Sequence, residues 1–356
     1  MSGASGGPTK RLGVVGSGSI VPFHLDALAE AGFEIAAIGS RAGSEKTAAL
    51  AERYSAVAAH DWKAVVDMAA ASVEAGTRLD ALLIAPETSV TAEILAYALD
   101  TTDVPILVEK PISYSSADLD ALLARPAAQQ ARVLVGYNRR HYSSTAAARE
   151  FLSAQGVANA TFHASIPEAS WDAAMADDRK RGILLANSVH VLDLLQHLFG
   201  ELSVVGVTGV QNETGLVSRA VSLSSASGAV GTCIITFGSP SSYFVDLHTP
   251  GKSAALKPIE FFNEYVGVQV IDPTPEVPLR HYVPTRGAEF KLSEDDLAFK
   301  PGFLSQSREL YASASGAGSA SGLGSASDAP LATRQSATIA EAARVLALAE
   351  QLLAAK

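Results

Sequence analysis

The residues best suited to chemistry near the start of the chain form a glycine-containing turn. Gly16-Ser17-Gly18-Ser19-Ile20-Val21 follows the apolar run 12–15 and precedes a helical stretch, 22–31. Here a first glycine permits a tight turn, and a second lets the backbone approach a pyrophosphate at the helix N-terminus. Val21 replaces the third glycine of the G-x-G-x-x-G pattern. We therefore predict that residues 16–20 bind a dinucleotide, with a purely structural turn as the alternative.

The end of the second predicted strand, 33–38, indicates which dinucleotide is bound. NAD-binding domains usually present Asp or Glu there to hold the ribose diol, but this chain has Ser40 and Arg41. A hydroxyl beside a permanently charged guanidinium suits the 2′-phosphate of NADP. The pattern therefore favours NADP over NAD. The alternative is a solvated Arg41 and a Ser40 that only caps a helix.

Further polar residues follow later strands. Glu109-Lys110-Pro111 comes after the run 105–108, and Tyr137-Asn138-Arg139 follows the run 132–136. Open α/β sheets bind their ligands at the carboxyl ends of their strands. His190 lies near the start of a later helix, where it is either catalytic or a packed, hydrogen-bonded polar residue.

Strands and helices alternate through the first part of the chain. The predicted strands there are 12–15, 33–38, 79–85, 105–108 and 132–136, and the helices between them are 22–31, 44–54, 92–99 and 115–124. This alternation is typical of βαβ units with a parallel sheet. We predict an α/β protein whose N-terminal Rossmann domain spans 10–136, after a disordered leader at 1–9.

The pattern changes beyond residue 136. The predicted helices are 144–154, 188–199 and a C-terminal 338–353, and the predicted strands are 158–166, 204–210, 219–224, 231–237, 244–248 and 259–270. We predict that 137–356 forms an α+β domain with an open, mainly antiparallel sheet that binds substrate and mediates oligomerisation. The Ala, Ser and Gly-rich stretch 312–328 is predicted to be a flexible loop.

Composition limits the classes of protein. The 356 residues suit two domains, and the net charge of −10 makes nucleic acid an unfavourable partner. No uninterrupted apolar run is long enough to cross a membrane, and the one cysteine, Cys233, excludes an internal disulfide. No His, Cys, Asp or Glu cluster has metal-ligand spacing. We expect a cytoplasmic globular protein without a metal site.

Several of these motifs occur together and in order. With Gly18-x-x-Val21-x-x-His24 and the run 80–85, they make the chain resemble the Gfo/Idh/MocA family of NAD(P)-dependent oxidoreductases. The resemblance implies hydride transfer between nicotinamide C4 and a carbonyl or hydroxyl carbon of a sugar or cyclitol. It implies that Lys110 contacts the reacting oxygen, that Lys110–Pro111 is a cis bond, and that His190 donates or accepts the proton.

The resemblance, together with the types of the neighbouring residues, also suggests which residues bind cofactor and substrate. Ala85, Glu109, Lys110 and Asn138 are expected to join the glycine turn at the cofactor, while the expected substrate residues are Tyr137, Arg139, Trp171, Asn187 and His190. The chain departs from the family pattern at Ala186, where an aspartate is usual, and at Thr91, where histidine is common. His24 is expected to be a packing or cofactor-edge residue.

We therefore predict an NADP-dependent oxidoreductase acting on a polyhydroxylated small molecule and assembled as a homodimer or homotetramer. Ala186 motivates one alternative, a non-catalytic dinucleotide-binding sensor or regulator. Another alternative is an NAD-dependent glycoside hydrolase of the same fold.

Overall fold

The computed structural model describes residues 9–70, 72, 74, 76–168, 177–213, 215–316 and 334–354. Contacts between these residues divide the chain into two units. The first comprises the described residues up to His141 together with those of Asp295–Ala343, and the second comprises the remainder. Trp171 and residues 1–8 of the predicted leader lie outside the described residues.

The first unit is built on a six-stranded parallel sheet in the order β3-β2-β1-β4-β5-β6. Its strands are β1 Lys10–Val15, β2 Phe33–Gly39, β3 Val57–Ala58, β4 Ala81–Ile84, β5 Ile106–Val108 and β6 Val133–Val135. Its first helices are α1 Val21–Glu30, α2 Glu45–Arg53, α3 Trp62–Asp67, α4 Thr88–Thr101, α5 Ser116–Leu123 and α6 Ala127–Gln130. The predicted parallel Rossmann sheet is confirmed.

Burial explains why these strands pair in parallel. Every residue of β4, β5 and β6 is buried, as expected where helices cover both faces of a sheet. Val14 lies opposite Ile38 on β2 and Leu83 on β4. The prediction omitted β3 and α3, because a two-residue strand leaves no apolar run to recognise.

The second unit contains an eight-stranded sheet in the order β14-β13-β12-β11-β7-β10-β9-β8. Three helices and one strand come first in the chain: α7 Ser143–Gln155, β7 Thr161–Glu168, α8 Asp177–Ile183 and α9 Val189–Phe199. The later strands are β8 Leu202–Asn212, β9 Gly215–Ser225, β10 Val230–Phe237, β11 Phe244–Thr249, β12 Lys252–Leu256, β13 Asn263–Ile271 and β14 His281–Arg286. The pairs are antiparallel except β7 with β10, which confirms a mainly antiparallel sheet.

One strand prediction in this sheet had the wrong bounds, and two strands were not predicted. The predicted strand 259–270 begins too early, because β13 starts only at Asn263. The strand before it, β12, was not predicted. The segment between them turns at Pro258, and Phe261 N–H bonds to the Pro258 carbonyl. Strand β14 was also missed, because Pro284 in its middle argues against a strand. It pairs with β13 only, so it lies at the sheet edge, where proline is tolerated.

The helix predicted from residue 188 begins earlier. Residues Leu184–Ser188 form a π-helical turn that joins α8 to α9. Among the described residues, Lys180–Phe199 is the one helix long and apolar enough to cross a membrane, and 67% of that window is buried. A buried core helix passes the same test, so this is weak evidence for a membrane span.

The C-terminal segment contains α10 Glu294–Ala298, α11 Phe303–Ala314 and α12 Ile339–Ala354. The predicted second domain includes residues 295–343, but in the structure the described residues of this range, 295–316 and 334–343, group with the first unit. Leu310 of α11 joins the apolar cluster of β1, α1 and β2. Residues 312–314, predicted as the start of a loop, are the last turn of α11, and residues 317–328 lie outside the described part of the chain.

Candidate functional site

The turn after β1 requires glycine at its first position. Gly16 has φ +118°, and its N–H donates to the Gly39 carbonyl at 2.8 Å. A Cβ on Gly16 would lie 2.2 Å from the Ala85 carbonyl oxygen. The turn is therefore held between the ends of β2 and β4, and it brings Gly16 and Ala85 together.

Gly18, unlike Gly16, is not crowded by other residues of the chain. It is exposed, and a Cβ placed on it would meet nothing within 4 Å. Packing within the chain therefore does not demand glycine, whereas close approach of a ligand would. The N-cap residue of α1, Ile20, makes no side-chain capping bond, so the helix N-terminus is available to an anion. Together with Ser17 and Ser19, these residues fit a dinucleotide pyrophosphate.

The side chains near the end of β2 form a cluster of hydroxyl groups. Ser17 Oγ lies 3.4 Å from the hydroxyl oxygens of both Ser40 and Ser44. Ser40 Oγ is 2.6 Å from Thr47 Oγ1, and Ser44 caps α2 by accepting from Thr47 N–H. Arg41 is exposed beside this cluster. The structure thus brings predicted residues 17 and 40 together and leaves the guanidinium accessible.

A carboxylate that follows β5 is hydrogen-bonded to a histidine of α1. Glu109 Oε1 accepts from His24 Nε2 at 2.6 Å, and Glu109 Oε2 accepts from the Lys110 N–H at 3.1 Å. His24 is 1% exposed, and its ring lies 4.3 Å from that of Phe303. The Lys110–Pro111 bond is cis, as expected. His24, on the helix that follows the glycine turn, thus contacts the carboxylate next to Lys110.

The surroundings lower the pKa values of both Glu109 and Lys110. Burial alone would raise the pKa of Glu109, but the hydrogen bond and charge of His24 and the charge of Lys110 outweigh it and lower the pKa. Burial lowers the pKa of Lys110, and the positive charges of Arg139 and Lys300 add to this, while Glu109 opposes it. A lysine with a lowered pKa is better able to exchange a proton near neutral pH.

The residues after β6 begin a short 3-10 helix, Asn138–His141. The Asn138 side-chain amide donates to the Pro301 carbonyl at 3.0 Å, which joins this helix to the segment before α11. Tyr137 is 2% exposed, and Arg139 is half-buried. Lys110 follows β5 and these residues follow β6, and the two strands are neighbours in the parallel sheet.

The second unit holds the remaining predicted residues in and after its π-helical turn. Asn187 is exposed, and its Nδ2 donates to Glu168 Oε2 at 3.3 Å and to the Tyr243 hydroxyl at 3.2 Å. Buried Ser188 donates to Glu168 Oε1. His190 follows two residues later and is half-buried. Single-turn π-helices in proteins often occur at functional sites.

Sequence reasoning missed three contributors to these arrangements. Glu168 ends a strand and carries no motif, and Lys300 and Phe303 lie in a segment assigned to the other domain. His24 was noticed in a motif, but its carboxylate partner 85 residues away could not be inferred. Among the described residues, no three His, Cys, Asp or Glu side chains are grouped to hold a metal ion.

A parallel sheet with a glycine turn between its first strand and first helix defines the class of this domain: a Rossmann domain that binds a dinucleotide. Residues 10–137 match the family model described as "Oxidoreductase family, NAD-binding Rossmann fold". This is the model of the Gfo/Idh/MocA family, so its match to the N-terminal domain confirms the resemblance found in the sequence.

Solved structures show the same fold over nearly the whole chain. A myo-inositol dehydrogenase from Corynebacterium glutamicum is 18% identical with a TM-score of 0.63, and covers 97% of this chain and 96% of its own. UDP-N-acetylglucosamine 3-dehydrogenase from Acidithiobacillus ferrooxidans is 18% identical with a TM-score of 0.64, covering 96% of each chain. A 3-ketoreductase from Actinomadura kijaniata, solved with NADP and TDP-benzene, is 15% identical with a TM-score of 0.61, again covering 96% of each chain. A comparison with curated protein sequences found no match.

Proposed function

We propose that this protein is an NADP-dependent oxidoreductase that transfers a hydride between nicotinamide C4 and a carbonyl or hydroxyl carbon of a sugar, cyclitol or related polyhydroxylated compound. The observation that carries the proposal is the position of Lys110, which follows β5 at the same sheet edge as the Gly16–Gly18 turn. Of the proteins of similar fold, the two dehydrogenases act, by their names, on myo-inositol and on UDP-N-acetylglucosamine, and the ketoreductase was solved with NADP and TDP-benzene.

NADP supplies the hydride acceptor or donor when it is bound. The N–H groups of residues 17–20 would bind its pyrophosphate, and Ser40 with Arg41 would bind the 2′-phosphate. The lack of a carboxylate at residues 39–44 supports this preference, because Asp or Glu there would repel the phosphate. Arg41 offers two parallel hydrogen bonds to a phosphate group.

Lys110 handles the proton of the reacting oxygen. An alcohol can lose a hydride only if its hydroxyl proton also leaves, so a base must lie within hydrogen-bond reach. Burial lowers the pKa of Lys110, which increases the fraction of neutral amine that can accept this proton. We assign His190 as a proton donor or acceptor, because imidazole is the side chain best suited to proton transfer near neutral pH.

Lys110→Ala tests the reaction. We expect loss of at least about 10²-fold in kcat, since general acid–base groups contribute roughly 10² to 10⁴. NADPH fluorescence should report unchanged binding. Lys63→Ala, which removes an exposed lysine on α3, is the matched control and should retain activity. A normal rate in Lys110→Ala would overturn the role of this lysine.

Arg41→Ala tests the nucleotide preference. Loss of a charge-assisted contact worth about 1.5–3 kcal/mol should weaken NADPH binding by roughly 10- to 150-fold and change NADH binding little. The control is Arg53→Ala, an exposed arginine at the end of α2. Equal losses for the two nucleotides would contradict a 2′-phosphate contact.

The outer strands of the second sheet support a homo-oligomer, either a dimer or a tetramer. Val268 and Val270 of β13 and Tyr282 of β14 are all more than half exposed, which is unusual for apolar side chains on one sheet region. A second copy would cover them. Sedimentation velocity should detect an oligomer at micromolar concentration, and Val268→Lys with Val270→Lys should dissociate it. A wild-type monomer would contradict this assembly.

A further inference from the structure

The hydrogen bonds of Asn187 determine which way its side-chain amide points. A carboxylate can only accept, so the atom 3.3 Å from Glu168 Oε2 must be the amide nitrogen. The second N–H of that nitrogen is directed to the Tyr243 hydroxyl at 3.2 Å. Both donors of the amide are therefore used within the second unit.

One polar atom of Asn187 remains for a ligand. Its Oδ1 receives no hydrogen bond from any described residue, and the side chain is exposed. An amide whose nitrogen is occupied and whose oxygen is accessible can only accept from an incoming molecule. The complementary group on that molecule is an O–H or N–H donor.

Glu168 is an unfavourable residue to bury merely to orient an asparagine. It is 1% exposed, and its carboxylate forms hydrogen bonds with Ser188 and Asn187. No Lys, Arg or His of the described residues pairs with it within 4 Å. Burying a carboxylate beside neutral partners is destabilising, so stability alone gives little reason to place one there.

We propose that Asn187 is a specificity-determining residue that accepts a hydrogen bond from a substrate hydroxyl, and that Glu168 is the positioning residue that holds its amide in that orientation. The assignment depends on the polyhydroxylated substrate class proposed above. It also gives the turn containing Ala186 a way to recognise a hydroxyl without a carboxylate at position 186.

Calorimetric titration of the NADPH-saturated protein tests this without requiring turnover. The probes are myo-inositol, D-glucose and the monodeoxy analogues of each. We expect the wild type to bind one monodeoxy analogue at least about tenfold more weakly than its parent, because the Oδ1 acceptor is then left without its donor. In Asn187→Ala, parent and analogue should bind within about twofold of each other, since neither meets the acceptor.

Glu168→Gln should also reduce this discrimination, because an amide at position 168 no longer provides two accepting oxygens. The double variant Glu168→Gln with Asn187→Asp exchanges carboxylate and amide. The new amide at position 168 can then donate to position 187, whose second oxygen still accepts, so discrimination should return. A merely structural role for Glu168 predicts no such recovery.

Asn159→Ala and Glu201→Gln remove exposed groups of the same types in the second unit and should leave discrimination unchanged. Discrimination that persists in Asn187→Ala, or a wild type that binds none of the probes, overturns the inference. Discriminating binding without turnover would instead refute the proposed reaction and leave the role of Asn187 standing.

Discussion

In the first unit, functional atoms are positioned by backbone conformation, whereas in the second they are positioned by hydrogen bonds between side chains. Gly16 holds its turn through a positive φ and a bond to the Gly39 carbonyl, and Glu109 N–H bonds to the Ile84 carbonyl. Asn187 and Ser188 are held instead by the carboxylate of Glu168. The first kind of site is vulnerable to an added Cβ, and the second to the loss of one polar atom.

The largest expected effect comes from adding a methyl group to the glycine turn. Gly16→Ala forces a non-glycine residue to φ +118° and places Cβ against the Ala85 carbonyl. Strain of about 1–3 kcal/mol plus this clash should lower the free energy of unfolding by at least about 3 kcal/mol. Denaturant unfolding followed by circular dichroism measures it.

Gly18→Ala is the matched control for Gly16→Ala. It meets open space, so the free energy of unfolding should change by less than about 1 kcal/mol. Its NADPH affinity should nevertheless fall, because the methyl group occupies the approach of the pyrophosphate. Equal destabilisation by the two substitutions would contradict the distinction between a packed and a ligand-facing glycine.

Ser188→Ala probes the second unit in the same way. It removes the hydroxyl donor to Glu168 and leaves a buried carboxylate oxygen unsatisfied, which should lower the free energy of unfolding by about 1–3 kcal/mol. Ser153→Ala, on the exposed side of α7, provides the reference and should be nearly neutral. A neutral Ser188→Ala would show that Glu168 does not depend on this bond.

Glu109→Gln sharpens the electrostatic side of the comparison. Glu109 raises the pKa of Lys110 against the effect of burial, so removing its charge should lower that pKa further. The rate of alcohol oxidation rises with pH as Lys110 loses its proton, and this limb of the pH–rate profile should move to lower pH. The positive charges of Arg139 and Lys300 also act on Lys110, whereas His24 contacts Glu109. Glu93→Gln, exposed on α4, should leave the profile in place, and a shift to higher pH would refute the assignment.

The smallest expected effect is that of Tyr243→Phe. It removes one of the two acceptors of the Asn187 amide and leaves Glu168 in place. A single neutral hydrogen bond contributes about 0.5–1.5 kcal/mol, so polyol affinity should fall by no more than roughly tenfold. A loss as large as that of Asn187→Ala would mean that Tyr243, not Glu168, controls the orientation.

Predictions succeeded where a feature has a short-range cause. The parallel sheet follows from apolar runs such as 81–84, and the glycine turn follows from its place between a strand and a helix. Predictions failed where the local pattern is weak or misleading. Strand β3 has two residues, β14 contains Pro284, and the Ala and Ser-rich end of α11 resembles a loop.

The amino-acid sequence by itself determined the dinucleotide-binding class, because glycine conformations and strand periodicity are properties of neighbouring residues. Only the tertiary structure decided which groups meet. His24 and Glu109 are 85 residues apart, and Asn187 and Glu168 are 19 apart in different elements. Such contacts depend on how strands and helices pack, since no local pattern encodes the partner of a buried polar group.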